Sequence, residues 1–306
     1  MALEPQAQTG LRTLSSQITG LIRTARIKQW IKNGFVFVPL FFDRKVMALP
    51  FLLNTIAGFV LFSLISSAVY VMNDLVDIDA DRAHPDKRNR PLASGQLSRG
   101  VATAAAVLLP AICLPAAFLL NVGFGGILSG YLVLQIIYSF WLKKYPILDV
   151  MVIAAGFVLR VAGGVWLVDV VRFSPWLYLF TTMLALFLGF SKRRQELILL
   201  REGANHARAN LDEYNIPLLD EMIVIVTAMT VLTYSLYTFS AEGLPANHSM
   251  MLTIPFVLYG IFRYLYLIHV KGETASPDEI ALTDRPLQIT VILFGLAVFL
   301  ILYFFG

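Results

Sequence analysis

Apolar positions in this chain gather into long runs instead of alternating. Eight runs of about 16–25 residues are each long enough, or nearly so, to cross a ~30 Å hydrocarbon core as a helix. With a shorter run at the front they predict nine spans: Trp30–Phe42, Phe51–Met72, Val101–Leu120, Gly123–Leu142, Ile147–Val171, Pro175–Phe190, Met222–Phe239, Met250–Val270 and Gln288–Gly306. The first has a short apolar core that stops at Asp43-Arg44-Lys45, and Pro110 and Pro115 predict a kink in the third. Ahead of the spans, Leu11, Leu14, Ile18, Leu21, Ile22 and Ala25 recur three or four apart, with Arg12, Arg23, Arg26 and Lys28 between them. That pattern predicts an amphipathic helix lying in the headgroup plane of the lipid bilayer. The expected division is an N-terminal cytoplasmic segment, 1–29, and a single transmembrane domain, 30–306.

Composition agrees with this pattern. Of 306 residues, 58% are hydrophobic and 14% charged, against roughly 25% charged in an average soluble domain. Mean hydropathy is +0.71. A soluble enzyme, a disulfide-stapled secreted domain and a disordered chain are excluded, leaving an all-α polytopic membrane protein. The single cysteine, Cys113, forms no intrachain disulfide, and the start MALEPQAQTG lacks the basic and apolar regions of a cleavable signal peptide. The pI of about 9.1 raises the possibility of nucleic acid, but topology accounts for the basic residues. With nine spans, 19 of the 24 Lys and Arg fall on the side of the N-terminus, three (Arg44, Lys45, Arg172) on the other, and Arg160 and Arg263 inside spans. The positive-inside rule places the basic side in the cytoplasm of a bacterial inner membrane protein, and no nucleic-acid partner is expected.

Two cytoplasmic connections are long and charged. In the first, Asn73, Asp77 and Asp81 fall at i, i+4 and i+8, and Asp74 joins Asp77 and Asp81 at three- and four-residue spacing. On a helix these oxygens share a face, where carboxylates repel unless a cation neutralises them. Mg2+ takes one or two carboxylates together with substrate phosphates, so the pattern predicts a Mg2+–diphosphate site. Lys87, Arg88 and Arg90 follow within a stretch from His84 to Gly95, and arginine grips phosphate bidentately. The competing readings are a solvated acidic helix end and plain positive-inside charge.

The stretch from Asn73 to Gly95 resembles the first signature of the UbiA superfamily of intramembrane prenyltransferases, NDxxDxxxD followed by a basic RPxxxG element. The resemblance implies a nine-helix bundle with a central cavity open to the bilayer and cytoplasmic motif loops. The second connection departs from the usual pattern: Phe190-Ser191-Lys192-Arg193-Arg194-Gln195-Glu196 stands where most members carry a second Asp-rich motif. Cations there suit a bare phosphate better than another metal–diphosphate. The departure resembles the decaprenyl-phosphate phosphoribosyltransferase branch. Arg26-Ile27-Lys28-Gln29-Trp30-Ile31-Lys32-Asn33, the stretches Leu148–Val150 and Phe157–Gly164, and Arg208–Tyr214 are similar to further elements of that branch. The branch usually carries Gly where this chain has Ser191.

That resemblance implies phosphoribosyl transfer from phosphoribosyl pyrophosphate (PRPP) to a polyprenyl (decaprenyl) phosphate, feeding cell-envelope arabinan synthesis. Asn73, Asp74, Asp77 and Asp81 are the implied Mg2+ ligands, with the three aspartates catalytic. Lys28, Asn73, Lys87, Arg88, Arg90, Tyr138, Arg160, Lys192, Arg193 and Arg263 are the expected substrate contacts. Arg160 and Arg263 are included because ionisable residues inside spans are costly and usually functional, although an interhelical pair is the bland alternative. A homo-oligomer is left open. The rivals are a conventional prenyl-diphosphate transferase, which the missing second Asp motif disfavours, and a transporter, which the sparsely charged outer side disfavours.

Overall fold

The computed structural model describes residues 14–85, 87–170, 173–201 and 211–304. Leu11, Arg12, Asp86, Arg172 and Arg208–Asn210, which the sequence reading used, lie outside them. Among the described residues the chain is helical, without strands: α1 Leu14–Thr24, α2 Val38–Phe42, α3 Leu49–Val76, α4 Ile78–Ala83, α5 Arg99–Leu120, α6 Val122–Phe140, α7 Leu148–Val168, α8 Pro175–Arg201, α9 Ile216–Ser240, α10 Ile254–His269, α11 Pro277–Thr283 and α12 Arg285–Phe304.

Among the described residues, seven helical segments are long and apolar enough to cross a membrane: α3, α5, α6, α7, α9, α10 with its preceding turn, and α12. The expected first and sixth spans are not among them. The first is a 3-10 segment, Ile27–Phe37, followed by the five-residue α2, whose first turn holds Pro39. Proline has no N–H to donate and favours the start of a new helix over continuation. The sixth is the apolar first part of α8, which continues without a break through Lys192, Arg193 and Arg194. That second charged stretch is therefore helical, where a loop was expected. Lys, Arg, Gln, Glu and Leu are all strong helix formers, so nothing in Ser191–Arg201 stops the helix.

The chain divides into two compact units, one of Met1–Trp30 with Ser63–Cys113, the other of Ile31–Phe62 with Leu114–Gly306. In the first, α1 presents Leu14, Ile18 and Ile22 outward, 77%, 51% and 51% exposed. Its other face is pinned to the segment before α5: Ser98 N–H donates to Gln17 Oε1 at 2.9 Å, and Arg23 donates to Gln96 Oε1 at 3.2 Å. Beneath it, Val71, Ile78, Leu92, Leu97 and Ala102 form a small core. The amphipathic helix expected across residues 11–30 ends at Thr24, where Arg26 takes a left-handed φ of 52°.

In the second unit, α7, α8 and α9 pack side by side around Val150, Phe187, Leu219 and Ile223, with α10 and α12 adding Tyr264 and Leu287. Helix association inside a bilayer draws on close van der Waals packing, since lipid is as apolar as leucine. Gly164 shows why a small residue is needed: a Cβ there would lie 2.1 Å from the Val36 carbonyl oxygen.

Candidate active site

In the first unit, Asp74 closes α3 and Asp81 sits in α4, each 3% exposed. The helix axis is interrupted at Asp77, yet Asp77 N–H donates to Asn73 O at 2.9 Å and Asp81 N–H to Asp77 O at 2.8 Å. The i, i+4, i+8 backbone spacing therefore survives the joint. A single guanidinium nitrogen, Arg90 Nη1, donates to Asp74 Oδ1 at 3.2 Å and to Asp81 Oδ2 at 2.8 Å. Arg26 Nη2 donates to the same Asp74 oxygen at 2.7 Å, and its guanidinium lies 5.0 Å from the centroid of the Tyr70 ring. Asp79 points away, exposed, and pairs loosely with Arg82 and Arg99. Lys87 is half-buried, Arg88 and Lys28 are exposed, and none of the three side chains makes an ion pair among the described residues.

A divalent ion can be tested against this donor set. Among the described residues no three His, Cys, Asp or Glu are gathered into a metal cage. Two carboxylates do converge on one cationic nitrogen, however, and Asn73 Oδ1 is a buried oxygen without a hydrogen-bond partner among the described residues. Hard oxygen donors in that number suit Mg2+ completed by substrate phosphates. The residues fit the ion.

In the second unit, Arg193 is buried on α8, 1% exposed. Its Nε donates to Asp149 Oδ2 at 2.7 Å, and its Nη1 bonds Glu196. Asp149, fully buried at the start of α7, also accepts from the Tyr214 hydroxyl at 2.9 Å. That hydroxyl in turn accepts the Ile147 N–H at 2.5 Å. Burial, aided by the Asp149 carboxylate, pushes Tyr214 up to about 12, so it stays protonated as a donor. Tyr138 is half-buried and close enough to Arg193 to add to its electrostatic stabilisation. Arg194 Nε meets Asp220 Oδ1 of α9 at 2.5 Å. Lys192 is half-buried, while Ser191 and Gln195 are buried with hydrogen-bonding atoms that have no partner among the described residues.

The two intraspan arginines differ. Arg160 is 5% exposed and, among the described residues, bonds only neutral groups: Nε to Asn33 Oδ1 at 2.7 Å, Nη1 to Gly156 O at 2.7 Å and Nη2 to Tyr131 OH at 3.0 Å. Phe62, Tyr131 and Phe157 surround its guanidinium at 4.9–5.4 Å from their centroids. Arg263 instead grips Asp284 through two nitrogens, at 3.2 and 2.8 Å. The Arg263 hydrogen bonds hold the Asp284 carboxyl below its ordinary range.

Arg26, Asn33, Asp149 and Tyr131 are among the members of these clusters absent from the expected contacts. Arg26 and Asn33 both lie in the Arg26–Asn33 element, which held the available signal. Asp149 is marked by being a carboxylate at the edge of an apolar run. Tyr131 carries no such mark.

The sequence profile of the UbiA prenyltransferase family matches residues 37–282. The decaprenyl-phosphate phosphoribosyltransferase of Mycobacterium tuberculosis is 32% identical over 278 residues, 89% of this chain and 90% of that one. That of Corynebacterium glutamicum is 31% identical over 299 residues, 93% and 87% of the two chains. A UbiA homolog from Archaeoglobus fulgidus, solved bound to GPP and Mg2+, superposes with a TM-score of 0.69 at 19% identity. The match covers 92% of this chain and 99% of that one, and it establishes the shared fold.

Proposed function

The chain belongs to the UbiA prenyltransferase family, and we propose that it transfers the 5-phosphoribosyl group of PRPP to a polyprenyl phosphate, decaprenyl phosphate in the first instance. In this reading it is a nine-span inner-membrane enzyme with its charged connections in the cytoplasm. The observation that carries the proposal is the cationic stretch Lys192-Arg193-Arg194 in place of a second set of carboxylates, in a chain 31–32% identical to phosphoribosyltransferases.

The bond between ribose C1 and the pyrophosphate oxygen breaks, and a new one forms between C1 and a phosphate oxygen of the lipid. The electron pair leaves with pyrophosphate, and in-line attack inverts C1. The acceptor is already an anion, so no general base is required. Bound Mg2+ would neutralise charge on the departing diphosphate. Asn73, Asp74, Asp77 and Asp81 would hold it. Arg90, displaced from the carboxylates, would join Lys87, Arg88 and Lys28 on phosphate oxygens. Lys192 and Arg160 would contact a phosphate, while Arg193 and Tyr138 would support that region.

The test is purified protein in detergent with decaprenyl phosphate, Mg2+ and PRPP labelled in the ribose. Label should enter the lipid fraction, and EDTA or Asp77→Asn should abolish it while the variant stays folded. Full activity in Asp77→Asn removes the metal assignment. No transfer from PRPP, with prenylation of an aromatic acceptor from a prenyl diphosphate, replaces the reaction itself.

A further inference from the structure

Helix α1 has three sides. Leu14, Ile18 and Ile22, four residues apart, form an exposed apolar stripe, and Ser15, Thr19 and Arg23, on the same spacing, form an exposed polar stripe beside it. The third side faces the protein: Gly20 and Thr24 are buried, and Leu21 packs on the core of Val71, Leu92 and Leu97. No acidic residue lies between Leu14 and Phe42, a stretch that holds Arg23, Arg26, Lys28 and Lys32. Arg26 is taken up by Asp74, whereas Arg23 and Lys28 are exposed and meet no carboxylate among the described residues. An apolar stripe flanked by cations, with no acidic residue nearby in sequence, complements an anionic lipid surface, which takes the apolar side chains into its acyl boundary.

The packed side of α1 rests on the chain that follows Arg90. A Cβ on Gly20 would lie 3.2 Å from Leu97 Cβ and 3.5 Å from Pro91 Cβ, so the helix backbone itself sits against this segment. Ser98 N–H donates to Gln17 Oε1, and Arg23 donates to Gln96 Oε1. Arg90, which bridges Asp74 and Asp81, immediately precedes Pro91. Arg26, two residues beyond the end of α1, donates to Asp74. Helix α1 is thus joined to the carboxylate cluster twice, through residues 91–98 and through Arg26. We propose that the exposed face of α1 docks on anionic phospholipid and that this contact steadies residues 91–98, and with them Arg90. Headgroup phosphates lie beside Arg23 and acyl chains beneath Leu14, Ile18 and Ile22. The charge of the surrounding lipid then sets how firmly the first cluster is held, whichever substrate that cluster takes.

The experiment is hydrogen–deuterium exchange of the full chain, without substrate, in bilayer discs of phosphatidylcholine alone and of phosphatidylcholine mixed with phosphatidylglycerol. Amides of 14–24 should exchange about fivefold more slowly in the anionic discs, as for one cation held near an anionic surface, and those of 91–98 should slow with them. Added salt should shrink the difference. Thr19→Lys, on the exposed polar stripe, should widen it by about a further fivefold, and Ile18→Asn with Ile22→Asn should abolish it. Gln17→Leu should keep the effect of lipid charge on 14–24 and weaken it on 91–98. Equal exchange in the two discs, with no response to Thr19→Lys, overturns the lipid contact. Protection of 14–24 that follows the number of chains per disc and ignores lipid charge also overturns it, and assigns the stripe to a second copy of the chain. Lipid-dependent protection of 14–24 with 91–98 indifferent overturns the coupling.

Discussion

Replacing Arg193 with methionine distinguishes a cation that holds the protein together from one that holds substrate. Methionine keeps much of the side chain's length and removes the charge, leaving Asp149 fully buried with the Tyr214 hydroxyl and, among the described residues, no cation. Two unit charges about 4 Å apart attract by about 4 kcal/mol at an effective dielectric of 20. Breaking a buried pair from one side typically costs about 3–5 kcal/mol, because the surviving charge stays desolvated. Arg193→Met should therefore lower the unfolding midpoint in detergent by several degrees. Arg193→Met combined with Asp149→Asn should recover a large part of that loss, since the fully buried carboxylate is then neutral and the other carboxylate that Arg193 met, Glu196, is partly exposed. The assay is thermal unfolding of the two single variants and the double, with PRPP and lipid KM values measured well below the midpoints. A variant as stable as wild type, with a selectively raised KM for one phosphate-bearing substrate, would refute the structural assignment and restore Arg193 as a ligand.

Arg160→Met should leave the unfolding midpoint unchanged or raised, because a buried guanidinium with only neutral partners is relieved of its desolvation, yet turnover should collapse; wild-type turnover would remove Arg160 from the substrate contacts. Gly164→Ala should destabilise by about 1–3 kcal/mol, since its Cβ meets a backbone oxygen that cannot rotate away, whereas Gly34→Ala, with nothing within 4 Å, should not. Equal midpoints for the two would contradict the close approach. The Arg263–Asp284 pair carries a pH signature. Its carboxyl titrates below the ordinary value of 3.8 in the folded chain, so its stabilisation is full above that value and lost as pH falls through the lower folded value. Between pH 7 and 3 the stability gap between wild type and Asp284→Asn should close only at the acid end, and a gap constant with pH would rule the pairing out.

The helices that run length predicts and the structure contains share one property: their apolar stretches are long, so the cost of leaving backbone groups unpaired in hydrocarbon decides the conformation locally even where Arg160, Arg263 or Pro110 falls within one. The expected first span is not one continuous α-helix, because Gly34 and Pro39 divide a short run, and a 3-10 segment with a separate five-residue helix results. The extent of α8 was legible in principle, since helix-forming residues continue past the cations, but reading charge as a loop marker hides it. The first cluster was visible because its spacing is local: Asn73, Asp77 and Asp81 remain linked by backbone hydrogen bonds of helical spacing.

What spacing does not contain is the identity of each charge's partner. Arg193 and Asp149 are 44 positions apart, Arg263 and Asp284 are 21, and no period connects them. A count of cations near the membrane therefore overstates how many are available to a ligand. In a medium where an unpaired charge is expensive, the useful sorting is by partner. Arg193, Arg194 and Arg263 each meet a carboxylate on another element and are accounted for by the fold. Arg160 meets only an amide oxygen, a carbonyl and a phenol, so folding alone leaves its charge uncompensated among the described residues. An anionic substrate would supply the missing charge. In the proposed reading, the cation best matched to a phosphate is the one whose surroundings look least electrostatic, enclosed by Phe62, Tyr131 and Phe157, and that is a property of three-dimensional pairing which motif spacing does not carry.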